Sequence, residues 1–213
     1  MVADFLNTYF YNFDTAIYHV VGGWQSETMN SIMHFITFFG CRNFQIFMLA
    51  VCLALLIPGR TRKYGMILIC AIGTGMVITS GILKPLIARP RPYIGMLKTA
   101  FADEYWNYYT FAGSPTETDY SFPSGHTTFA FDVVTCLVVT MIREKKHWAY
   151  WLIPVPFLIG FTRIYLCIHY PTDVIVGMCV GLTAGIIGAF IGPWLCNKLN
   201  AILDRLKAQK ANN

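Results

Sequence analysis

Residues 64–83 read Tyr-Gly-Met-Ile-Leu-Ile-Cys-Ala-Ile-Gly-Thr-Gly-Met-Val-Ile-Thr-Ser-Gly-Ile-Leu, and no charged side chain interrupts them until Lys84. About 20 apolar residues wound as a helix are what it takes to cross the hydrocarbon core of a bilayer. In that medium a backbone must satisfy its own hydrogen bonds, so a lone apolar run of this length predicts a helix. Working outward, residues 126–142, 148–168 and 174–196 are further runs of this kind, and Asn43 to Ile57 forms a shorter one that needs neighbouring residues to span. These five segments predict an all-α polytopic membrane helix bundle. An N-terminal segment could supply a sixth span, which makes five to six transmembrane helices.

Composition agrees with a chain solvated by lipid. Hydrophobic residues make up 55% of the 213 and charged residues 13%, against about 25% charged in a soluble domain. The length suits a single domain, 1–213. Residues 1–39 differ from the rest. Leu6, Phe10, Phe13, Ile17 and Val20, and again Met29, Met33, Ile36 and Phe39, recur at steps of three or four. They predict amphipathic helices lying in the interface or packed on the bundle. Asp4, Asn7, Asn12, Asp14 and His19 break up any secretory leader there, and no basic segment precedes it. Insertion is therefore expected to rely on the later apolar runs.

The net charge of +5 comes from short basic clusters between apolar runs. No single stripe collects them, which argues against a nucleic-acid partner. Arg60, Arg62 and Lys63 share one loop, Arg143, Lys145 and Lys146 another, and Lys198, Arg205, Lys207 and Lys210 lie in the tail, 197–213. Five spans put all three regions on one face, expected to be cytoplasmic. Residues 84–125 then form a long polar stretch on the non-cytoplasmic face. Its many aromatic side chains suit either an interfacial anchor or a lid over a site. Seven cysteines, odd in number and widely spaced, argue against a disulfide framework or a zinc site. Cys41 and Cys167, near predicted membrane edges, are the one pair that could meet.

On that same face three clusters carry residue types that are costly in a membrane protein. They are Lys84 with Arg89, Arg91 and Pro92; Pro123-Ser124-Gly125-His126; and Thr162-Arg163 followed by His169 and Asp173. Taken singly, each has a structural reading. Lys84 and Arg91 can be snorkelling anchors, Ser124 a helix cap, and His169 an interfacial histidine. Together they suit phosphoryl transfer, whose transition state spreads negative charge over equatorial oxygens. Lys84, Arg91 and Arg163 would oppose that charge, arginine with a planar fork. Gly125 and the free N–H groups of a helix beginning at Ser124 would approach it closely. His169, oriented by Asp173 about one turn away, would attack through Nε2, and His126 would protonate the leaving oxygen.

These residues carry a resemblance to the type 2 phosphatidic acid phosphatases, relatives of bacterial acid phosphatases, glucose-6-phosphatase and vanadium haloperoxidases. The family's first motif, Lys, six residues and Arg-Pro, is met by Lys84, Arg91 and Pro92. Pro-Ser-Gly-His is met by residues 123–126. Ser-Arg, five residues, His, three residues, Asp is met by Arg163, His169 and Asp173, with Thr162 in place of the usual serine. The resemblance implies a phosphohistidine on His169, His126 as acid and then base, and Lys84, Arg91, Ser124, Gly125 and Arg163 as phosphate ligands. It also implies no metal or other cofactor. Asp132, seven residues after Gly125, is expected either to bond within the bundle or to support Lys84 or another basic group from behind, and Thr162 is a second candidate for such a supporting place.

The expected substrate is a lipid phosphate or pyrophosphate, undecaprenyl pyrophosphate ahead of phosphatidylglycerophosphate or phosphatidate. The expected setting is a bacterial plasma membrane, with the site on the outer face. Transfer of the phosphoryl group to another lipid would use the same motifs. A transporter would instead gather its charges near the midplane, where only Asp132 lies.

Overall fold

The computed structural model describes residues 2–211. The N-terminal pattern forms three helices, α1 (Val2–Tyr9), α2 (Tyr11–Gly22) and α3 (Glu27–Thr37). Ser26 caps α3, its side chain accepting from the Met29 N–H at 3.3 Å. A 3-10 turn, Phe38–Gly40, leads into α4 (Arg42–Leu56). Next comes α5 (Arg62–Met76), which runs on through a π-helical segment, Val77–Leu83, into the single turn α6 (Lys84–Ile87). Ala88 stops that rod in the left-handed region, at φ 50°, and the prolines at 90 and 92 prevent its resuming at once.

The polar stretch that follows is largely folded. Pro92 opens α7 (Pro92–Gly95), a 3-10 turn covers Met96–Lys98, and α8 spans Ala102–Phe111. Irregular chain then leads to α9 (Gly125–Arg143). Beyond it come α10 (Pro154–Tyr165) and α11 (Pro171–Ala211), each opened by a proline at its first turn, where the missing N–H costs nothing.

Three helical stretches are long and apolar enough to cross a membrane: Arg62–Lys98, Gly125–Arg143 and Pro171–Lys210. A fourth arises if Glu27–Gly40 and Arg42–Leu56, bent by 41° at their junction, make one broken span. This count is lower than the five to six read from hydropathy. In 148–168 the chain makes a 3-10 turn, His147–Leu152, and Pro154 then starts a helix of only 12 residues. At about 1.5 Å per residue α10 alone is about 18 Å long, short of a core about 30 Å thick, and the chain passes from the Glu144 end to the 166–170 loop only with the 3-10 turn added.

The glycines of α11 bring its neighbours to backbone contact. A Cβ on Gly181 would stand 2.5 Å from Phe131 Cβ, and one on Gly185 2.5 Å from Thr135 Cβ, both on α9. Further along, one on Gly188 would stand 2.7 Å from Ala71, and one on Gly192 2.6 Å from Ile67 Cα, both on α5. Small residues are the means of close helix approach where lipid removes the hydrophobic drive. Around these contacts Cys52, Ile67, Leu68, Ala71, Cys136 and Ala189 form one buried cluster, while Leu182, Ile186 and Phe190 stay exposed on the outer side of α11.

The three basic regions meet at one end. Lys63 Nζ lies 2.7 Å from Glu144, and Arg62 donates to Asn200 Oδ1 at 2.6 Å. The tail continues α11. At the other end lie the starts of α9 and α11, covered by α2, α8 and the 166–170 loop. Tyr18, Met96, Tyr105, Tyr109, Cys167 and Tyr170 form a second buried cluster there. All seven cysteines are free, Cys41 and Cys167 included.

Candidate active site

Each element delivers its side chain through a chain break. The stop at Ala88 leaves Arg89 and Arg91 on extended chain beyond α6, while Lys84 sits on the last turn. Ser124 caps α9, its Oγ accepting from Thr127 N–H and, at 2.9 Å, from the Thr127 hydroxyl. Its own N–H donates to the Asp173 carbonyl at 3.0 Å, which ties the start of α9 to the start of α11. Between α10 and α11, Cys167 takes φ 54° to turn the chain. Two tyrosines brace that loop: Tyr18 donates to the His169 carbonyl at 2.7 Å and Tyr105 to the Cys167 carbonyl at 2.5 Å.

The geometry converges on the carboxylate of Glu117, from the irregular chain before α9. Arg91 reaches it at 2.7 Å and Arg163 more closely. His126 Nδ1 stands 3.9 Å from one of its oxygens and His169 Nε2 4.0 Å from the other. Asp119 lies beside it, paired with both Lys84 and Arg91. Two arginines, two imidazoles and one lysine, far apart in sequence, thus surround a pair of acidic side chains. Burial pushes the Asp119 carboxyl up, but the charges of Lys84 and Arg91 outweigh it and hold the group below its ordinary value.

His169 has a defined tautomer. Arg91 lies 2.8 Å from its Nε2, and a guanidinium can only donate. Nε2 therefore carries the lone pair and Nδ1 the proton. Nδ1 faces Asp173 Oδ2 at 3.4 Å and Ser121 Oγ at 3.4 Å. Ser121 in turn donates to Asp173. Burial, followed by the charges of Arg91, Arg163 and Lys84, pushes His169 well below the usual imidazole value, which keeps it neutral.

Lys84, Arg91, His126, Arg163, His169 and Asp173 thus come together. The other sequence candidates take different places. Ser124 uses its N–H as a donor and its Oγ as an acceptor in structural bonds. Beside it, a Cβ on Gly125 would meet nothing within 4 Å, so the helix start is open. Thr162 donates to the Ile159 carbonyl of its own helix at 2.7 Å. Asp132 does not support Lys84, whose ammonium donates to Asp119 and, at 2.9 Å, to the Tyr120 carbonyl. Asp132 instead abuts Gly75 of α5, and its Oδ1 has no partner among the described residues. Sequence reasoning placed Glu117 and Asp119 on this face as part of the polar stretch but did not assign them to the site, and it missed Ser121 and also Asp14, which lies behind Asp173.

Comparison with known proteins fits this arrangement. An undecaprenyl-diphosphatase from Sulfolobus acidocaldarius is 28% identical over 171 residues, 79% of this chain and 73% of the relative. A phosphatidylglycerophosphatase B from Bacillus subtilis is 27% identical over 166 residues, 75% and 71% respectively. The crystal structure of a transmembrane PAP2-type phosphatidylglycerolphosphate phosphatase from Bacillus subtilis superposes with a TM-score of 0.68 over 88% of both chains, at 22% identity. The profile of the PAP2 superfamily matches residues 64–194, more than half of the length and every motif residue named above. The chain is an integral membrane protein that belongs to the PAP2 superfamily.

Proposed function

We propose that this chain is a lipid phosphatase working through a phosphohistidine. The observation that carries the reading is the single carboxylate of Glu117, bonded by Arg91 and Arg163 and flanked by both imidazoles. A carboxylate there stands in for the tetrahedral oxyanion of a phosphate, and an entering phosphate would displace it. Arg163 Nε, buried and without a partner among the described residues, is a further donor for the larger anion.

The steps follow from the positions. His169 Nε2, with its lone pair free once Arg91 turns to phosphate oxygens, forms the N–P bond as the bond from the terminal phosphorus to the leaving oxygen breaks, the bridging oxygen of a pyrophosphate or the ester oxygen of a monoester. His126 gives its proton to that oxygen. Water then attacks phosphorus, His126 takes the water's proton, and the N–P bond breaks to release phosphate. Asp173 holds Nδ1–H throughout and stabilises the charge on the ring. Arg91, Arg163 and Lys84 oppose the negative charge that builds on phosphorus oxygens. Positive side chains supply what a metal would, and no step needs one.

Leu86, Ile94 and Leu97, exposed beside the motif arginines, offer apolar contact to a lipid tail. On the relatives' names, undecaprenyl pyrophosphate is the favoured substrate and phosphatidylglycerophosphate the next. The separation of this end from the cluster of Lys63, Arg143 and the tail supports a site on the outer face of a bacterial plasma membrane. The test is phosphate release in detergent with EDTA present, from undecaprenyl pyrophosphate, phosphatidylglycerophosphate and phosphatidate. Wild type should release phosphate and His169→Ala should not. Activity that EDTA abolishes, or that survives in His169→Ala, overturns the proposal.

A further inference from the structure

A second set of charges lies behind Asp173, away from the Glu117 carboxylate. Arg89 is fully buried, and each nitrogen of its guanidinium has a partner. Nε donates to Asn7 at 2.8 Å. One terminal nitrogen donates to Thr172 Oγ1 at 2.8 Å and to Asp173 Oδ1 at 2.7 Å. The other donates to Asp14 Oδ2 at 3.0 Å. The flat face of the group lies 3.6 Å from the centre of the Tyr170 ring. Asp14, 1% exposed, also accepts from the backbone N–H and the hydroxyl of Thr172, each at 3.0 Å.

Asp14 comes from α2, an amphipathic helix where an acidic side chain would ordinarily face water. Here it shares Arg89 with Asp173. An arginine paired with Asp173 alone would draw that carboxylate's charge away from His169. A second carboxylate on the same guanidinium divides its pull and fixes its plane. The bonds from Thr172 then hold the first turn of α11, on which Asp173 stands.

We propose that Asp14 is a positioning residue for the reaction. Through Arg89 and Thr172 it fixes the charge and direction of Asp173, and so keeps His169 protonated on Nδ1 with the lone pair on Nε2. The N-terminal helices thereby become part of the catalytic support. The inference rests on the phosphatase reading above, in which His169 is the nucleophile.

The test uses Asp14→Asn in the full-length protein, which keeps the shape and removes the charge, with Thr172→Val as a milder variant that deletes only the bridging hydroxyl. The kinetic expectation for Asp14→Asn is a fall in kcat on the order of tenfold, as supporting groups behind a site commonly give, with KM within about twofold. Thr172→Val should fall in the same direction by about threefold, and it carries the test if Asp14→Asn does not accumulate folded. The structural expectation is read by nitrogen NMR of histidine-labelled protein, with His169→Gln to assign the signal. Wild type should show Nδ1 protonated, and the variants a mixed or reversed tautomer. An unchanged kcat, a change confined to KM, or an unaltered His169 signal overturns the proposal. Inactive wild type would instead overturn the phosphatase reading, and the NMR arm would still report on Asp14.

Discussion

The two ends of the bundle carry the same kinds of side chain in different arrangements. At one end Lys63 and Lys146 flank Glu144, and Tyr64 donates to it. At the other, Lys84, Arg91 and Arg163 flank Glu117 and Asp119. The first lysines are 42% and 45% exposed, whereas the two arginines are each 2% exposed. Water can solvate the first cluster whether or not its pairs form, so those pairs contribute little. The second cluster has given up that hydration, and its cations depend on an anion being present. Two imidazoles facing the same anion complete the contrast. Convergence with burial, and not the number of charges, separates the end proposed to carry the chemistry from the other.

The largest effect should come from Arg91→Ala, which removes the donor to His169 Nε2 and one side of the anion site. Loss of a single such donor costs about 100- to 1000-fold in kcat. Arg91→Lys should recover little, because an ammonium lacks the fork, and Lys146→Ala should stay within about twofold of wild type. Steady-state phosphate release measures all three. A large loss in Lys146→Ala would erase the distinction between the ends.

Glu117→Gln tests whether the carboxylate competes with phosphate. The Ki for inorganic phosphate should fall by about three- to tenfold, since one charge-assisted competitor is gone. A weaker Ki would make Glu117 a helper and not a competitor.

Glycines of α11 sharpen the comparison further. A Cβ on Gly177 would stand 2.8 Å from the Ser124 carbonyl, and one on Gly192 2.6 Å from Ile67 Cα. Alanine at either place should cost about 1–3 kcal/mol of stability, read as a lower Tm in detergent. Only Gly177→Ala should also lower kcat, because it displaces the start of α9. Equal kcat losses would mean the two ends are mechanically coupled.

The smallest effect belongs to Glu144, held down to about 2 from 4.5 by hydrogen bonds from Lys146, Lys63 and Tyr64. A carboxyl lowered by folding stabilises fully above its unfolded value, and that share is lost as pH falls from 4.5 toward 2. Glu144→Gln should remove this share, narrowing the Tm difference between pH 7 and pH 3 by about 2 °C. An unchanged difference would show that these bonds do not persist in solution.

The residues that converge were legible because their types are rare at membrane edges and their spacing within each cluster is fixed. His169 and Asp173 flank the start of α11, and Lys84 and Arg91 straddle the stop at Ala88. The acidic partners were not legible. Glu117 and Asp119 stand in a polar stretch where acids are ordinary, and no period marks them. Asp14 sits in an amphipathic pattern that predicts a solvent face, and only the fold buries it against Arg89. Length and composition count fewer spans than hydropathy for a local reason: the stretch 147–165 is divided into a 3-10 turn and a helix begun by Pro154, so no single α-helix there is long enough to be counted.

The glycine face of α11 has one more consequence. Where backbones touch directly, no rotamer stands between the helices to absorb a push from outside. Leu182, Ile186 and Phe190, on the outer side of the same helix, can therefore follow a bilayer of different thickness or acyl composition while the approach of α11 to α9 stays set by main chain and Cβ atoms. The enzyme's outer wall is free to drift with its host's lipids, and its interior ruler is not.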